Sequence, residues 1–241
     1  AQEKVAEQIA SQMSDALEKK NYKGSLNGKS ISLLTNEEVQ PYLQLAEKLG
    51  AMAVQLSPEH ASSLEFEYSG DCTKFADVLT DGILKGMLSN YVEDSVNLIN
   101  ARYFADERGF SIKEILSSKG KTFNDLVTIR FAEGSEYRSI SAAVFGENDY
   151  RIVQIDKYGI ELRLEGDIIL YQNQDMPGML ASVSGALAQQ QINIGALGLG
   201  RTEKGSNAIT ALTVDKKLDD TELDVINKLE GIQHVRYVSF S

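Results

Sequence analysis

The sequence is poor in the residues that build covalent or metal-based sites. It has one cysteine, Cys72, and two histidines, His60 and His234, in 241 residues. A single cysteine excludes a disulfide within the chain and a cysteine-built metal centre, and it is typical of a reducing compartment. Two histidines far apart in sequence give little basis for a zinc site or a serine hydrolase triad. We therefore expect no metal site, and we interpret these three residues as structural or surface residues.

Long apolar runs and positive net charge are also missing. No stretch approaches the ~20 consecutive apolar residues that a membrane helix needs, and the first ten residues lack the apolar segment of a signal peptide. The formal net charge of -11 disfavours nucleic acid and anionic lipid, which carry charge of the same sign. These absences predict a cytoplasmic protein that binds neither nucleic acid nor membrane. Its expected partners are small molecules and further copies of itself.

The N-terminal part reads as a helix followed by a linker. Residues 1–20 place apolar side chains at four-residue steps from Val5 to Leu17, which is the pattern of one apolar helix stripe. The polar, glycine-containing segment 22–29 follows as a linker. Because the stripe needs a packing partner, we expect the chain to be part of a longer one.

The middle of the chain alternates between helical and extended patterns. Strands are predicted at 31–34 and 63–70, helices at about 37–56 and 73–91, and several strand-like runs between Gly109 and Leu164. Glycine-bearing turns separate the later strands. The pattern predicts an α+β domain with a largely antiparallel sheet.

The C-terminal part has the clearest pattern. Strands are predicted at 167–174, 192–200, 207–215 and 234–240, with one helix from about Pro177 and another behind Asp219 and Asp220. The order βαββαβ predicts a ferredoxin-like module, in which two helices cover one face of a four-stranded antiparallel sheet. The other face needs a neighbour or solvent.

The first turn of this module carries groups suited to an amino acid. We expect Pro177 in the first helical turn and Gly178 where another group approaches the backbone. Asp175 either caps the helix amides or accepts hydrogen bonds from an ammonium group. Asn173 precedes it, and Asn193, at the start of the next strand, is expected at the same end of the sheet. The alternative is a capping aspartate and a turn asparagine without a ligand.

Two glycine-containing motifs fail on spacing. Gly24–Ser30 has one residue too few for a phosphate-binding P-loop, so a turn is favoured. Gly195–Gly200 reverses the dinucleotide-binding spacing and does not lie between a strand and a helix. We interpret the glycines of this second run as points where the backbone closely approaches a neighbour.

Several segments resemble the long form of the D-3-phosphoglycerate dehydrogenase family. DMPGML followed by QINIGALGLGR resembles its ACT domain, and AQEKVAEQIASQMSDAL resembles the closing helix of its catalytic portion. PYLQLAEKLGAMAVQL and VNLINARYFADERG are similar to its intervening domain, and RIVQIDKYGIELRLEGDIILYQNQDMPG to the junction of the two regulatory domains. The resemblance implies a closing helix and linker at 1–25, an intervening domain at 26–165 and an ACT domain at 166–241.

The resemblance also implies a function. In that family, ACT modules of two subunits pair side by side, and serine binds at their shared edge as a feedback inhibitor of serine biosynthesis. The effector positions fall on Asn173, Asp175, Gly178 and Asn193, although some members carry histidine or tyrosine in place of Asn173. The implied partners are L-serine or a similar amino acid and further copies of the chain, as a dimer or a tetramer.

Arg151 and Arg163 match basic positions near the domain junction of the family. The resemblance implies a second control site there for an anionic, substrate-like ligand; the alternative is two solvated arginines. No segment supplies a dinucleotide fold or a histidine-carboxylate pair, so we expect no cofactor in this chain and no activity of the chain alone, with NAD bound by a missing catalytic portion. A ligand-independent oligomerisation module is the main alternative. An enzyme working through the two arginines has no acid-base set nearby.

Overall fold

The computed structural model describes residues 36–56, 63–89, 96–118, 123–133 and 136–240, together with Ala10. In chain order its elements are α1 (Gln40–Leu56), β1 (Ser63–Ser69), a 3₁₀-helix (Asp71–Phe75), α2 (Ala76–Leu88), α3 (Ala101–Glu107), β2 (Ser111–Ser117), β3 (Leu126–Glu133), β4 (Glu136–Gly146), β5 (Asp149–Ile155), β6 (Tyr158–Arg163), β7 (Asp167–Gln174), α4 (Met179–Gln189), β8 (Ile194–Arg201), β9 (Asn207–Val214), α5 (Asp220–Asn227) and β10 (Ile232–Ser239). The predictions for residues 1–9, 11–34 and His60 lie outside the described residues.

The first part of the chain folds around a six-stranded sheet in the order β2-β1-β3-β4-β5-β6. Only β1 and β2 pair in parallel, and the other neighbours are antiparallel. Helices α1 and α2 cover one face, where Leu64, Phe66 and Tyr68 of β1 are fully buried. This arrangement confirms the predicted α+β class.

Cys72 lies in the 3₁₀-helix between β1 and α2 and packs into this core. Its thiol is fully buried and donates to the carbonyl oxygen of Ser69 at 3.2 Å. Burial disfavours the thiolate and raises the pKa of Cys72 to about 12. A thiol that stays protonated and inaccessible is a packing residue rather than a nucleophile.

The second sheet has the order β10-β7-β9-β8, with every neighbouring pair antiparallel. Helices α4 and α5 cover one face, and Val183 and Ile226 are the fully buried centres of their contacts. Helix α5 begins with a capping box, in which Asp219 and Glu222 each accept a hydrogen bond from the other's backbone amide. The module has the predicted ferredoxin-like fold.

The face of the second sheet without helices packs against the first domain. Ile168, Leu170, Ile209, Ala211 and Val238 belong to one continuous hydrophobic core with the six-stranded sheet and its helices. The neighbour that the sequence required for this face is therefore the preceding domain.

Polar contacts fix the same junction between the domains. The side-chain amide of Gln55 donates to the carbonyl of Ser239 at 3.2 Å and accepts from its amide at 2.9 Å. The Lys48 ammonium donates to the carbonyl oxygen of Leu164 at 2.8 Å. Helix α1 is thus tied both to the last strand and to the segment that connects the two sheets.

Among the described residues, no helix combines the length and the hydropathy that crossing a membrane requires.

Candidate functional site

The turn between β7 and α4 brings together three of the four predicted effector residues. Asn173 lies buried near the end of β7, Asp175 follows the strand, and Gly178 is the N-cap of α4. Gly178 has φ +94°, which is the left-handed region that favours glycine. Helix α4 begins at Met179, so the prediction that Pro177 occupies its first turn is wrong, because the left-handed glycine separates Pro177 from the helix.

Gly178 has open space beside its backbone. A Cβ built at this position meets nothing within 4 Å among the described residues. The chain therefore leaves room there, and the approach of another group to this backbone stays a prediction. The positive φ of the glycine turns the chain from β7 into α4.

Asp175 is held by contacts away from helix α4. Its Oδ2 accepts from the backbone amide of Gly205 and from Nη1 of Arg201, each at 2.9 Å. These two donors lower the pKa of Asp175, the Gly205 amide more strongly than the guanidinium. No side chain caps α4, so the predicted alternative of an Asp175 cap is wrong: its carboxylate turns toward the loop between β8 and β9.

Asn173 uses both ends of its carboxamide within the chain. Its Nδ2 donates to the carbonyl oxygen of Gln174 at 2.8 Å, and its Oδ1 accepts from the Thr210 hydroxyl at 3.3 Å. Thr210 is also buried, so this pair forms the polar floor of the turn. Asn173 therefore orients the backbone around Asp175.

Asn193 lies at the opposite end of the sheet from this turn. Asn173 pairs with Ala208 of β9, whereas Ile194, next to Asn193, pairs with Val214. The six-residue step along β9 between these two positions corresponds to roughly 20 Å. The prediction that Asn193 shares one end of the sheet with the first turn is wrong, because β8 and β7 both run antiparallel to β9 and so run in the same direction.

Strand β8 is an edge of its sheet and carries exposed apolar side chains. Leu197 and Leu199 are 46% and 48% exposed. We call β8 with these two leucines the apolar edge. An unpaired edge strand beside exposed leucines is typical of an interaction surface.

Arg151 and Arg163 are direct neighbours on β5 and β6. They line an open cleft of about 490 Å³ that reaches across the domain junction to Gly195, Leu197 and Thr213 of the second sheet. The structure thus brings the two predicted anion-binding residues together, beside the start of β8.

Acidic side chains already surround these arginines. Asp149 accepts from Arg151 through both oxygens, at 2.9 and 2.5 Å, and lies 3.2 Å from Nε of Arg163. Glu161 binds the remaining side of Arg151, and Glu165 lies 3.7 Å from Arg163. The hydrogen bonds from Arg151 lower the pKa of Asp149. Two arginines therefore meet three carboxylates, and an anion has to compete with them.

Sequence reasoning did not single out Arg201, which closes the run of glycines in β8. The residue lies 26 positions from its partner Asp175, so spacing along the chain gives no signal for the pair. Only the order of strands in the sheet brings the two charges together.

Within the described part of the chain, no three histidine, cysteine, aspartate or glutamate side chains lie close enough together to hold a metal ion.

Two family models match the chain. Residues 38–156 match the D-3-phosphoglycerate dehydrogenase intervening domain, and residues 168–231 match the ACT domain. The first range holds α1 to α3 and strands β1 to β5 of the six-stranded sheet and ends before β6. The second range holds the four-stranded module up to the residue before β10.

The relatives found by sequence are named D-3-phosphoglycerate dehydrogenase. The protein of Bacillus subtilis is 28% identical over 87% of this chain and 41% of its own length. Those of Synechocystis sp. and Mycobacterium tuberculosis are 27% and 31% identical, over 97% and 78% of this chain and 42% and 36% of their own lengths. The chain thus spans about two fifths of the relatives it matches. It belongs to the D-3-phosphoglycerate dehydrogenase family, whose C-terminal regulatory part it matches with an intervening domain followed by an ACT domain.

Proposed function

We propose that two copies of this chain pair along β8 and bind L-serine, or a closely similar amino acid, at each end of the paired edge. The binding provides feedback control of a phosphoglycerate dehydrogenase, the first enzyme of L-serine biosynthesis. The observation that carries this proposal is the apolar edge, which has Asp175 beyond one end and Asn193 at the other.

Two-fold pairing of two copies would bring Asp175 of one copy close to Asn193 of the other, although the two residues lie far apart within one chain. A two-fold axis that stands perpendicular to the sheet, just outside the middle of β8, lays a second β8 antiparallel beside the first. The end of β8 near Asp175 then adjoins the start of the partner strand, which carries Asn193 of the partner subunit. Pairing therefore brings together the Asp175 carboxylate and an Asn193 amide, which lie at opposite ends of the sheet within one chain.

The surface chemistry favours such a pairing. An edge strand presents backbone N–H and C=O groups that a second strand satisfies, and the exposed Leu197 and Leu199 lose water at the same contact. A continuous eight-stranded sheet results, with α4 of each copy beside the other. The ACT family, to which this module belongs, generally binds amino acids and self-associates.

The polar groups at each end match a zwitterion. The Asp175 carboxylate accepts from an ammonium group. Within each chain, Asn193 donates one Nδ2 hydrogen to Asp215 at 2.6 Å. The second Nδ2 hydrogen and Oδ1 of the partner subunit's Asn193 then offer a donor and an acceptor for the carboxylate or the hydroxyl of serine. For control, serine has to bind two arrangements of the parent enzyme unequally. Couplings of about 1–3 kcal/mol change affinity roughly 5- to 150-fold.

Isothermal titration of the 241-residue chain with L-serine tests the binding step. We expect saturable heat, a loss of at least about tenfold in affinity in Asn193→Ala, and no change in Asn227→Ala, a matched exposed asparagine on α5. Absence of heat from the unsubstituted chain overturns the serine proposal.

The alternative is an assembly module that pairs without a ligand. Sedimentation with and without L-serine separates the two, because linkage requires serine to strengthen the association if it binds between two copies. A dimer that is indifferent to serine favours the alternative.

We also propose, as a second candidate, that the cleft at Arg151 and Arg163 binds an anionic, substrate-like ligand. Two guanidinium groups on adjacent strands support this, although the anion has to displace Asp149 or Glu161. Titration with 3-phosphoglycerate is expected to give binding that Arg163→Gln weakens. Equal binding by the chain and this variant excludes Arg163 from the site.

A further inference from the structure

Arg201 lies at the same end of the sheet as Asp175. The strand register pairs Arg201 with Ala208 and Ala208 with Asn173, so the three residues form one row across β8, β9 and β7. Residues in such a row project from the same face of a sheet. The guanidinium therefore lies on the face that carries α4, beside the turn that holds Asp175 and Gly178.

The ion pair between Arg201 and Asp175 uses only part of each group. Nη1 of Arg201 donates to Oδ2 of Asp175, which also takes the Gly205 amide. Among the described residues, Oδ1 of Asp175 accepts no hydrogen bond, and Nε and Nη2 of Arg201 donate none. The Arg201 side chain is 51% exposed. A fixed pair of opposite charges thus presents unused acceptors and donors to solvent.

Such a pair is complementary to an amino acid. An α-amino acid carries an ammonium and a carboxylate on the same carbon, and each of these finds the opposite charge in Asp175 and Arg201. A planar guanidinium binds a carboxylate through two parallel hydrogen bonds, which an asparagine amide cannot do. Asp175 and Asn193 alone would leave the ligand's negative charge without a cation.

We propose that Arg201 is a ligand-binding residue that takes the carboxylate of the amino acid while Asp175 takes its ammonium. The pair selects zwitterions over amines that lack a carboxylate. This inference rests on the proposed function, since it assigns a specificity-determining residue to the same site.

Comparison of L-serine with L-serinamide tests it, because the amide keeps the ammonium and the hydroxyl but has no carboxylate. Both are titrated into the unsubstituted chain, Arg201→Gln, Arg201→Lys and Lys228→Gln. Lys228 is an exposed cation on the C-terminal side of α5 that also pairs with one carboxylate, so its variant controls for net charge.

In the unsubstituted chain and in Lys228→Gln we expect L-serine to bind at least about tenfold more tightly than L-serinamide. Arg201→Gln is expected to weaken L-serine roughly 10- to 100-fold and to leave L-serinamide within about threefold, because a charge-assisted hydrogen bond is lost from one ligand only. Arg201→Lys keeps the positive charge but cannot donate two parallel hydrogen bonds. Its affinity for L-serine is therefore expected to lie between those of the unsubstituted chain and Arg201→Gln. If Arg201→Gln does not fold, the comparison of the two ligands is made with Arg201→Lys.

The outcomes separate the two proposals. If the unsubstituted chain gives no heat with L-serine, the proposed function fails and the role of Arg201 falls with it. If L-serine binds but its advantage over L-serinamide is absent, or persists unchanged in both Arg201 variants, the role of Arg201 alone is overturned.

Discussion

Gly200 and Gly159 approach so closely that a Cβ built on Gly200 would lie 2.3 Å from the Gly159 carbonyl oxygen. Gly198 stands in the same relation to the Glu161 carbonyl oxygen, at 2.8 Å. Strand β8 therefore presses two bare backbone positions against β6 of the preceding domain. This confirms the interpretation that glycines of this run mark close backbone approach.

Gly200→Ala is expected to lower the free energy of unfolding by about 1–3 kcal/mol, since the methyl group has to push one backbone away from another. Urea denaturation measures the change. Gly185→Ala is the matched control: this glycine lies within α4 with nothing within 4 Å of its Cβ position, so stability stays the same or rises by up to about 1 kcal/mol. Equal stability of the two variants would contradict the assigned contact.

A mixing experiment tests whether the ligand lies between two copies. Asp175→Asn and Asn193→Ala are each expected to lose serine binding when alone. Random exchange between them makes half of the dimers mixed, and each mixed dimer has one site with both residues intact. About one quarter of the sites should therefore return, as counted by titration. If mixing restores nothing, the site does not combine Asp175 of one copy with Asn193 of the other.

Leu199→Asp is expected to dissociate the paired form, because a carboxylate then replaces an apolar side chain at the centre of the contact. Sedimentation velocity over a range of concentrations measures the shift toward monomer. Val225→Asp adds the same charge at a similarly exposed apolar position on α5, away from β8, and should leave association unchanged. Dissociation by both variants would indicate a general charge effect.

The charged face of the first sheet predicts a dependence of stability on pH. Glu67 accepts from Arg130 at 2.5 Å and from Ser117 at 2.7 Å, which joins three strands. The bond from Arg130 is the main cause that lowers the pKa of Glu67 below its ordinary 4.5. A lowered carboxyl pKa contributes stability that is present above the unfolded-state pKa and is lost as pH falls through the folded-state value.

Unfolding free energies measured from pH 7 downward are therefore expected to fall less steeply below about pH 4.5 in Glu67→Gln than in the unsubstituted chain. Glu165→Gln serves as the control, because that carboxylate is well exposed and lies 3.7 Å from its arginine. Parallel curves for Glu67→Gln and the unsubstituted chain would show that Arg130 adds nothing through Glu67.

The sequence was sufficient for the C-terminal fold because its signals are local. Alternating apolar residues, the Asp219 cap and Gly231 after the last helix each act over a few positions. Local signals do not show which residues lie at the same end of the sheet. Whether Asn193 lies near Asp175 depends on which strands are neighbours and in which direction they run, and no spacing in the chain encodes that.

Helix α3 was not predicted for a related reason. Helix α3 has seven residues and buries only Ala101 and Ala105, too short a stripe to give a helical period. It is held instead by Arg102, whose Nε donates to the buried Asp81 at 2.6 Å and whose Nη2 donates to Glu114 of β2 at 3.2 Å. Tertiary ion pairs of this kind leave no pattern in the sequence.

The hydrophobic core shared by the two sheets has a consequence for how the chain comes apart. Cutting the chain between Leu164 and Asp167 would expose apolar surface on both fragments. On the C-terminal fragment this surface includes Ile168, Leu170 and Val238. The boundary between the two family models is therefore not a boundary between independent folding units, and the described residues of both domains are expected to unfold in one cooperative transition.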